Sequence, residues 1–171
     1  GRIPEGGSAV VMLLPYHTGE HPGRNVARYA VCDDYHTVAG EILEDVCAAL
    51  REEFPGAQFL PFADSSPVPE VEAACRAGLG RRGRNGQLIA PVWGSRVFVC
   101  EVVTDLELAP TGPADVPGCG SCRRCLEACP TGALTAEGLD RSRCRSFITQ
   151  KKGKLEPWEE EQVAAGGLAW G

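Results

Sequence analysis

Four cysteines within eleven residues constrain this chain more than any other feature. They lie in CGSCRRCLEACP, residues 119–130, with spacings of two, two and three residues and a proline after the last cysteine. Thiolates are soft ligands, and C-x2-C-x2-C-x3-C-P is a pattern of [4Fe–4S] cluster binding in which the fourth cysteine serves a second cluster. The pattern therefore predicts that Cys119, Cys122, Cys125 and Cys129 are cluster ligands.

A zinc site and a set of buried structural thiols remain open as alternatives for these cysteines. Zinc ribbons use two CxxC pairs separated by about 15–20 residues, and residues 119–130 do not show that spacing. Cys144 is a candidate fifth cluster ligand. Cys47 falls on the apolar face of a predicted helix and Cys100 within a strand pattern, so both are expected to be small buried hydrophobes.

Composition predicts a protein of a reducing compartment without a membrane-spanning helix. The cysteine count is odd, nine, which disfavours a secreted disulfide framework and indicates a cytoplasmic protein. No apolar run approaches the ~18 residues of a membrane helix. The net charge of −6 disfavours a general nucleic-acid binder, although residues 139–154 carry six Lys or Arg and one Asp.

The hydrophobic pattern predicts an α+β fold. A helix is expected to begin at Asp33 or Asp34 and to end at Pro55-Gly56, with Val38, Ile42, Val46 and Ala49 or Leu50 at helical spacing. A second helix is expected with Pro69 near its first turn. Strands are predicted at residues 8–16, 57–62, 88–93 and 96–104. The Pro- and Gly-rich stretch 108–118 predicts a boundary between domains 1–110 and 111–171.

The chain resembles the epoxyqueuosine reductases, which are cobalamin-dependent iron–sulfur oxidoreductases related to reductive dehalogenases. The resemblance covers nearly the whole chain and is carried by six segments. These are VARYAVCDDYHTVAGEIL (26–43), PFADSSPVPE (61–70), AGLGRRGRNGQLI (77–89), VWGSRVFVCEVVTDLEL (92–108), CGSCRRCLEACPTGAL (119–134) and LDRSRCRSFITQKKG (139–153).

The resemblance implies a cobalamin-binding reductase domain in residues 1–110 and a ferredoxin-like module in residues 111–171. Family members continue with a second cysteine run, C-x2-C-x3-C-P, so the chain resembles a fragment that ends before that run. By this resemblance Cys119, Cys122 and Cys125 hold one cluster and Cys129 and Cys144 the other, and the absent run completes both.

The activity implied is reduction of the epoxide of a modified base at the tRNA wobble position, in queuosine biosynthesis. An external donor would supply electrons through two [4Fe–4S] clusters to cobalamin, and the tRNA anticodon loop would be the partner. Two alternatives remain: a related corrinoid reductase of a small molecule, and a ferredoxin-type electron carrier without a corrin.

The family pattern D-x-x-P-V-L-E-R places its proton donor at Asp64 in this chain. Desolvation beside an apolar corrin face would favour the neutral carboxyl, as a general acid requires. The alternative is that Asp64 only caps the helix that follows. Val71 stands where the family pattern has Arg, which puts the substrate in doubt. His36 resembles part of a cobalt-binding motif, but we interpret it as structural or peripheral to the corrin, not as a ligand.

Overall fold

The computed structural model describes residues 7–16, 19 and 26–166, which divide into two compact units. The first unit contains residues 7–16, 33–82 and 88–118, and the second contains residues 26–32, 83–87 and 119–166. The second unit thus takes two segments from the N-terminal part of the chain. The segment before the expected second cysteine run, residues 167–171, lies outside the described residues.

A three-stranded antiparallel sheet forms the centre of the first unit. Strand β5, Val97–Thr104, lies between β1, Ser8–Pro15, and β2, Phe59–Ala63. The three strands are rich in Val, Leu and Phe, which are residues that suit a pleated, half-buried surface. A two-stranded ribbon, β3 (Arg81–Arg82) and β4 (Leu88–Ile89), is added at the end of the second helix.

Strand β4 is shorter than the 88–93 expected from the sequence. It ends at Ile89 and continues as a turn closed by a bridge between Ala90 and Gly94. Pro91 explains the early end, because proline has no N–H to donate to a strand ladder. The other three predicted strands are confirmed within two residues at each end.

Helix α1, Tyr35–Glu53, packs on one face of the sheet and buries Cys47 as predicted, although Val38 and Ile42 of the apolar pattern are not its most buried residues. The buried residues are Ala39, Leu43 and Cys47, whereas Val38 and Ile42 are 40% and 39% exposed. Both rows belong to one broad apolar arc, since neighbouring residues on a helix are about 100° apart. Ala39 and Cys47 of the buried row have small side chains, which allow the helix to approach the sheet closely.

Helix α2, Glu70–Arg76, contacts β5 and β1. Pro69 directly precedes it, as predicted. Alternation along β5 turns Cys100, Val102 and Thr104 to one side, and Cys100 and Val102 belong to the core cluster with α1. The residue between the first two, Glu101, therefore points to the opposite side of the sheet.

The second unit is built from short helices joined by turns. They are α3 (Arg124–Glu127), α4 (Arg145–Thr149) and α5 (Pro157–Gly166), with single turns of 3₁₀ helix at Arg28–Val31 and Arg141–Arg143. The carboxylate of Glu159 caps α5 by accepting the Glu156 backbone N–H at 2.8 Å, and it pairs with Lys151 at 2.8 Å. No described helix is long and apolar enough to cross a membrane.

Candidate functional site

Asp64 lies directly after β2 in a turn of unusual backbone conformation. Asp64 and Ser65 have φ angles of 59° and 46°, in the left-handed region that residues with a side chain rarely adopt. Asp64 Oδ1 accepts the Ser65 backbone N–H at 3.0 Å. Such conformations persist where the surrounding structure holds them, and they cluster at functional sites.

The first turn of α1 holds the other oxygen of Asp64. Tyr35 donates its hydroxyl to Asp64 Oδ2 at 2.8 Å, and His36 Nε2 lies 3.5 Å from the same oxygen. His36 Nδ1 is 2.8 Å from Asp34 Oδ1, and the same Asp34 oxygen accepts the His36 backbone N–H. Asp34 therefore both caps α1, as predicted, and orients the imidazole toward Asp64.

Aromatic stacking attaches this network to the sheet. The Tyr35 ring lies parallel to Phe98 of β5, with a centroid distance of 4.1 Å and an interplanar angle of 9°, and it also stacks on His36 at 4.0 Å. The contact between His36 and Asp64 was not predicted from the sequence. Its signal is the run Asp34-Tyr35-His36 at a helix start, but nothing local connects that run to Asp64.

The hydrogen bonds favour the ionised form of Asp64. The hydrogen bond from the Tyr35 hydroxyl is the largest cause that holds the pKa of Asp64 below its usual range, and the Ser65 N–H is the second. Partial burial acts in the opposite direction but does not outweigh them. The side chain is 57% exposed. The sequence-based expectation of a neutral Asp64 concerned a carboxyl desolvated by a corrin, and it stays a prediction for that state. The hydrogen bond to the Asp34 carboxylate raises the pKa of His36, burial opposes this increase, and Asp64 adds a smaller upward effect.

Replacing Tyr35 by Phe is expected to raise the pKa of Asp64 because it removes the largest cause of the lowering. A carboxyl whose pKa is lower in the folded state than in the unfolded state stabilises the fold at pH values above its unfolded-state pKa. This stabilisation is lost as the pH falls through the folded-state pKa. The variant should thus lose at most about 1 kcal/mol of stability at pH 7, and the difference should vanish in acid. Carboxyl NMR titration and denaturation would measure this, with Tyr29→Phe as the control; an unchanged Asp64 pKa would contradict it.

Two further carboxyl groups lie near Asp64, and the sequence analysis did not predict them as site residues. Glu101 is fully buried, and Glu70, the first residue of α2, is half-buried. Burial, followed by the charges of Glu101 and Asp64, raises the pKa of Glu70 to about 7. Burial also raises the pKa of Glu101. A charged residue inside the apolar run VFVCEVV was the signal available in the sequence.

The predicted cluster ligands belong to the second unit. Cys119 and Cys122 precede α3, Cys125 lies within it, Cys129 follows it, and Cys144 directly precedes α4. Within residues 7–16, 19 and 26–166, no three His, Cys, Asp or Glu side chains are arranged to hold a metal ion. The assignment of these five cysteines as ligands thus stays a prediction.

The surroundings of two of these thiols suit cluster-bound sulfur. The Arg84 backbone N–H donates to Cys119 Sγ at 3.4 Å, and the Leu134 N–H donates to Cys129 Sγ at 3.3 Å. Burial opposes ionisation of Cys129, but hydrogen bonds led by that of Leu134 outweigh it and lower the pKa of the thiol. Backbone N–H donors to sulfur stabilise thiolates and tune cluster potentials. The donor set therefore fits iron–sulfur clusters.

Cys47 and Cys100 differ from these thiols, as predicted. Both are buried, at 0% and 1% exposure, in the core cluster between α1 and the sheet. Burial raises the pKa of both thiols, that of Cys100 to about 11. Such thiols are inert and serve packing.

Comparisons with known proteins agree with both parts of this description. Residues 118–169 match the family model of a 4Fe-4S double cluster binding domain, and residues 2–65 match a model described as epoxyqueuosine reductase QueG. An epoxyqueuosine reductase of Cyclobacterium marinum is 36% identical over 173 residues, which cover 92% of this chain and 56% of that protein.

Two solved structures share the fold. An epoxyqueuosine reductase of Bacillus subtilis, solved with its catalytic aspartate loop swung out of the active site, has a TM-score of 0.84 and 29% identity. A second reductase, solved with an epoxyqueuosine-modified tRNA-Tyr stem loop, has a TM-score of 0.81 and 30% identity. Each match covers 95% of this chain and 45% of the other.

The cysteine module and its family model define an iron–sulfur cluster-binding protein. The relatives and solved structures match the chain on both sides of residue 110 and identify its family: the chain belongs to the epoxyqueuosine reductase family. It spans about half the length of the curated relative and of the solved structures that it matches.

Proposed function

We propose that the protein of which this chain is a part reduces the epoxide of epoxyqueuosine in tRNA, with Asp64 as the proton donor. The observation that carries this proposal is the Asp64 turn, held by Tyr35 and His36 in a fold shared with epoxyqueuosine reductases. A strained turn that presents an exposed carboxylate is suited to a ligand that approaches from solvent. The Bacillus subtilis structure supports the role, because the catalytic aspartate of that reductase lies on a loop.

Cobalamin is the cofactor that we propose on the family resemblance. When bound, it would supply a reduced cobalt centre for breaking the carbon–oxygen bond. Asp64 is 57% exposed, and an apolar ring that covered it would raise the pKa of this carboxyl by desolvation. The residues of this chain would then orient Asp64 through Tyr35 and Ser65 and deliver a proton from its carboxyl oxygen.

The second unit is proposed to carry two [4Fe–4S] clusters. Cys119, Cys122 and Cys125 would hold one cluster and Cys129 and Cys144 the other, each with ligands from the remainder of the protein. The N–H donors to Cys119 and Cys129 support this assignment. The clusters would pass electrons one at a time from an external donor, and a reducing, cytoplasmic compartment suits such thiolates.

The second unit also has features suited to RNA. Arg141, Arg143, Lys152 and Lys154 are exposed, and such cations attract phosphates. Phe147 is 44% exposed, and the Arg141 guanidinium lies 5.2 Å from its ring centre. Exposed aromatic rings with adjacent Arg residues can stack on unpaired bases. We propose that this surface contributes to binding the anticodon loop.

The test uses the uninterrupted protein, with its clusters reconstituted and cobalamin and a chemical reductant added. It is expected to convert an epoxyqueuosine-modified tRNA-Tyr stem loop to the queuosine form, followed by mass spectrometry. Reduction of a small epoxide with no reaction on the stem loop would favour the small-molecule alternative. Clusters without corrin binding would favour an electron carrier, and either result would refute the proposed function.

A further inference from the structure

Glu101 is a carboxyl group enclosed by the first unit. It lies in the central strand opposite Val11 of β1 and Phe62 of β2, and its side chain is 0% exposed. Neither Oε1 nor Oε2 has a hydrogen-bond partner of standard geometry within the described residues. The Ser66 hydroxyl is near enough to lower the pKa of Glu101, but burial outweighs it. A carboxyl in this environment strongly favours its protonated form.

Glu70 brings a second carboxyl to the same place. Its Oε1 is buried and also has no partner among the described residues. The charges of Glu101 and Asp64 both disfavour ionisation of Glu70, and a hydrogen bond from the Asp64 backbone N–H opposes them. Glu70 thus interacts with both the buried acid and the Asp64 turn.

Among the described residues, no cation compensates the two glutamates. Within the described residues, neither Glu70 nor Glu101 forms an ion pair with Lys, Arg or His. The titratable groups that bear on them are Asp64 from the turn, His36 of α1 through its contact with Asp64, and the Cys100 thiol of β5. Two neighbouring buried carboxyls without a cation cannot both ionise readily, so they titrate as a coupled pair.

We propose that Glu70 and Glu101 hold a proton at neutral pH and pass it to Asp64 when a ligand covers the Asp64 carboxylate. The proposal rests on the proposed role of Asp64 as a proton donor. An O–H bond of the pair breaks as one forms on Asp64, and the pair recovers its proton from water; no electron moves. Ser66, on the loop between Asp64 and Glu70, offers a hydroxyl beside Glu101 that can relay the proton.

A ligand is needed for the proton transfer because Asp64 and the pair of Glu70 and Glu101 differ in acidity. In this structure Asp64 is the stronger acid, since its pKa is lowered while that of Glu70 is raised. A ligand that removes water from Asp64 raises its pKa toward that of the pair. The proton would therefore reach Asp64 only when substrate and cofactor are in place, which avoids loss to solvent.

The first test measures the proton itself on this chain, by NMR titration of ¹³C-labelled glutamate carboxyls. Glu70 is expected to titrate near pH 7, and the Glu101→Gln variant should shift its midpoint to lower pH. Glu72→Gln, an exposed change on the same helix, should leave that midpoint in place. Titration of both Glu70 and Glu101 at the ordinary value of 4.5 would overturn the shared proton.

The second test measures transfer in the uninterrupted reductase. The wild-type rate is expected to decline above pH 7 as the pair loses its proton. Glu70→Gln is expected to lower kcat by about tenfold, to leave KM unchanged and to remove this decline, while Glu72→Gln changes none of these. Glu101→Gln is a second variant in case Glu70→Gln fails to fold. The obvious rival donor is His36: loss of the pH dependence in His36→Gln but not in Glu70→Gln would overturn the transfer step.

The two tests separate this inference from the proposed function. If the wild type turns over the substrate and both Glu70→Gln and Glu101→Gln do so at the same rate, the proton transfer is overturned and the proposed function stays intact. A wild-type protein without turnover would refute the proposed function and the transfer together. The NMR titration would in either case decide whether the pair holds a proton.

Discussion

Replacing Asp64 by Asn is expected to lower turnover of epoxyqueuosine tRNA in the uninterrupted reductase by about 10²–10⁴-fold, the usual contribution of a general acid. Asn is the appropriate substitution, because it tolerates the left-handed conformation found at φ 59°. Its carbonyl oxygen can still accept the Tyr35 hydroxyl, so the turn should persist while the titrating proton is lost. KM should change little, since the loss concerns proton delivery.

Asp45→Asn is the matched control for this experiment. Asp45 is an exposed residue of α1, so its substitution changes the charge equally without touching the turn. Turnover of this control should equal that of the wild type. If Asp64→Asn also retained full turnover, Asp64 would be only a cap for the loop that leads to α2.

Replacing Cys125 by Ser is expected to remove one of two clusters and with it about half of the bound iron and sulfide of the uninterrupted protein. Serine offers a hard oxygen ligand in place of a soft thiolate, and iron–sulfur clusters are held mainly by thiolates. Turnover should fall to the background rate, because electrons would no longer reach the reaction centre. Cys129→Ser should remove the other cluster, so the two variants should differ in their paramagnetic resonance signals.

Cys75→Ser provides the control for the cysteine substitutions. Cys75 is a half-buried residue of α2, in the first unit, and no cluster is proposed there. Its iron and sulfide content should match the wild type. Retention of all iron in both Cys125→Ser and Cys129→Ser, or zinc in place of iron, would refute the ligand assignment.

Helix α1 shows how much of the fold was predictable and where prediction stopped. Its start at Asp34 and its end before Pro55 follow from a local cap and a local helix breaker, and both are confirmed. Cys47 was placed on the apolar face and is buried, but the other buried positions are Ala39 and Leu43 rather than Val38 and Ile42 of the same apolar arc. The choice between the rows depends on the shape of the sheet that packs against them, which no local pattern records.

The candidate site shows the same division. The residue type and turn at Asp64 were predicted from a family pattern, but its partners Tyr35 and His36 lie 29 and 28 residues earlier in the chain. The family resemblance predicts a neutral carboxyl beside a corrin, whereas in this structure three hydrogen-bond donors favour the anion. Glu101 appeared within an apolar strand pattern, and it became chemically notable only through its complete burial without a hydrogen-bond partner of standard geometry in the described part of the chain.

The amino-acid sequence by itself determined the class of this protein. Cysteine spacing, helix caps and strand patterns are encoded by residues close together in the chain, so they predict a cluster module and the order of its elements. The tertiary structure alone decided which acids meet and which of them favour a proton. Those properties depend on burial and on contacts between α1, β5 and the Asp64 turn, and such contacts form only when distant segments pack together.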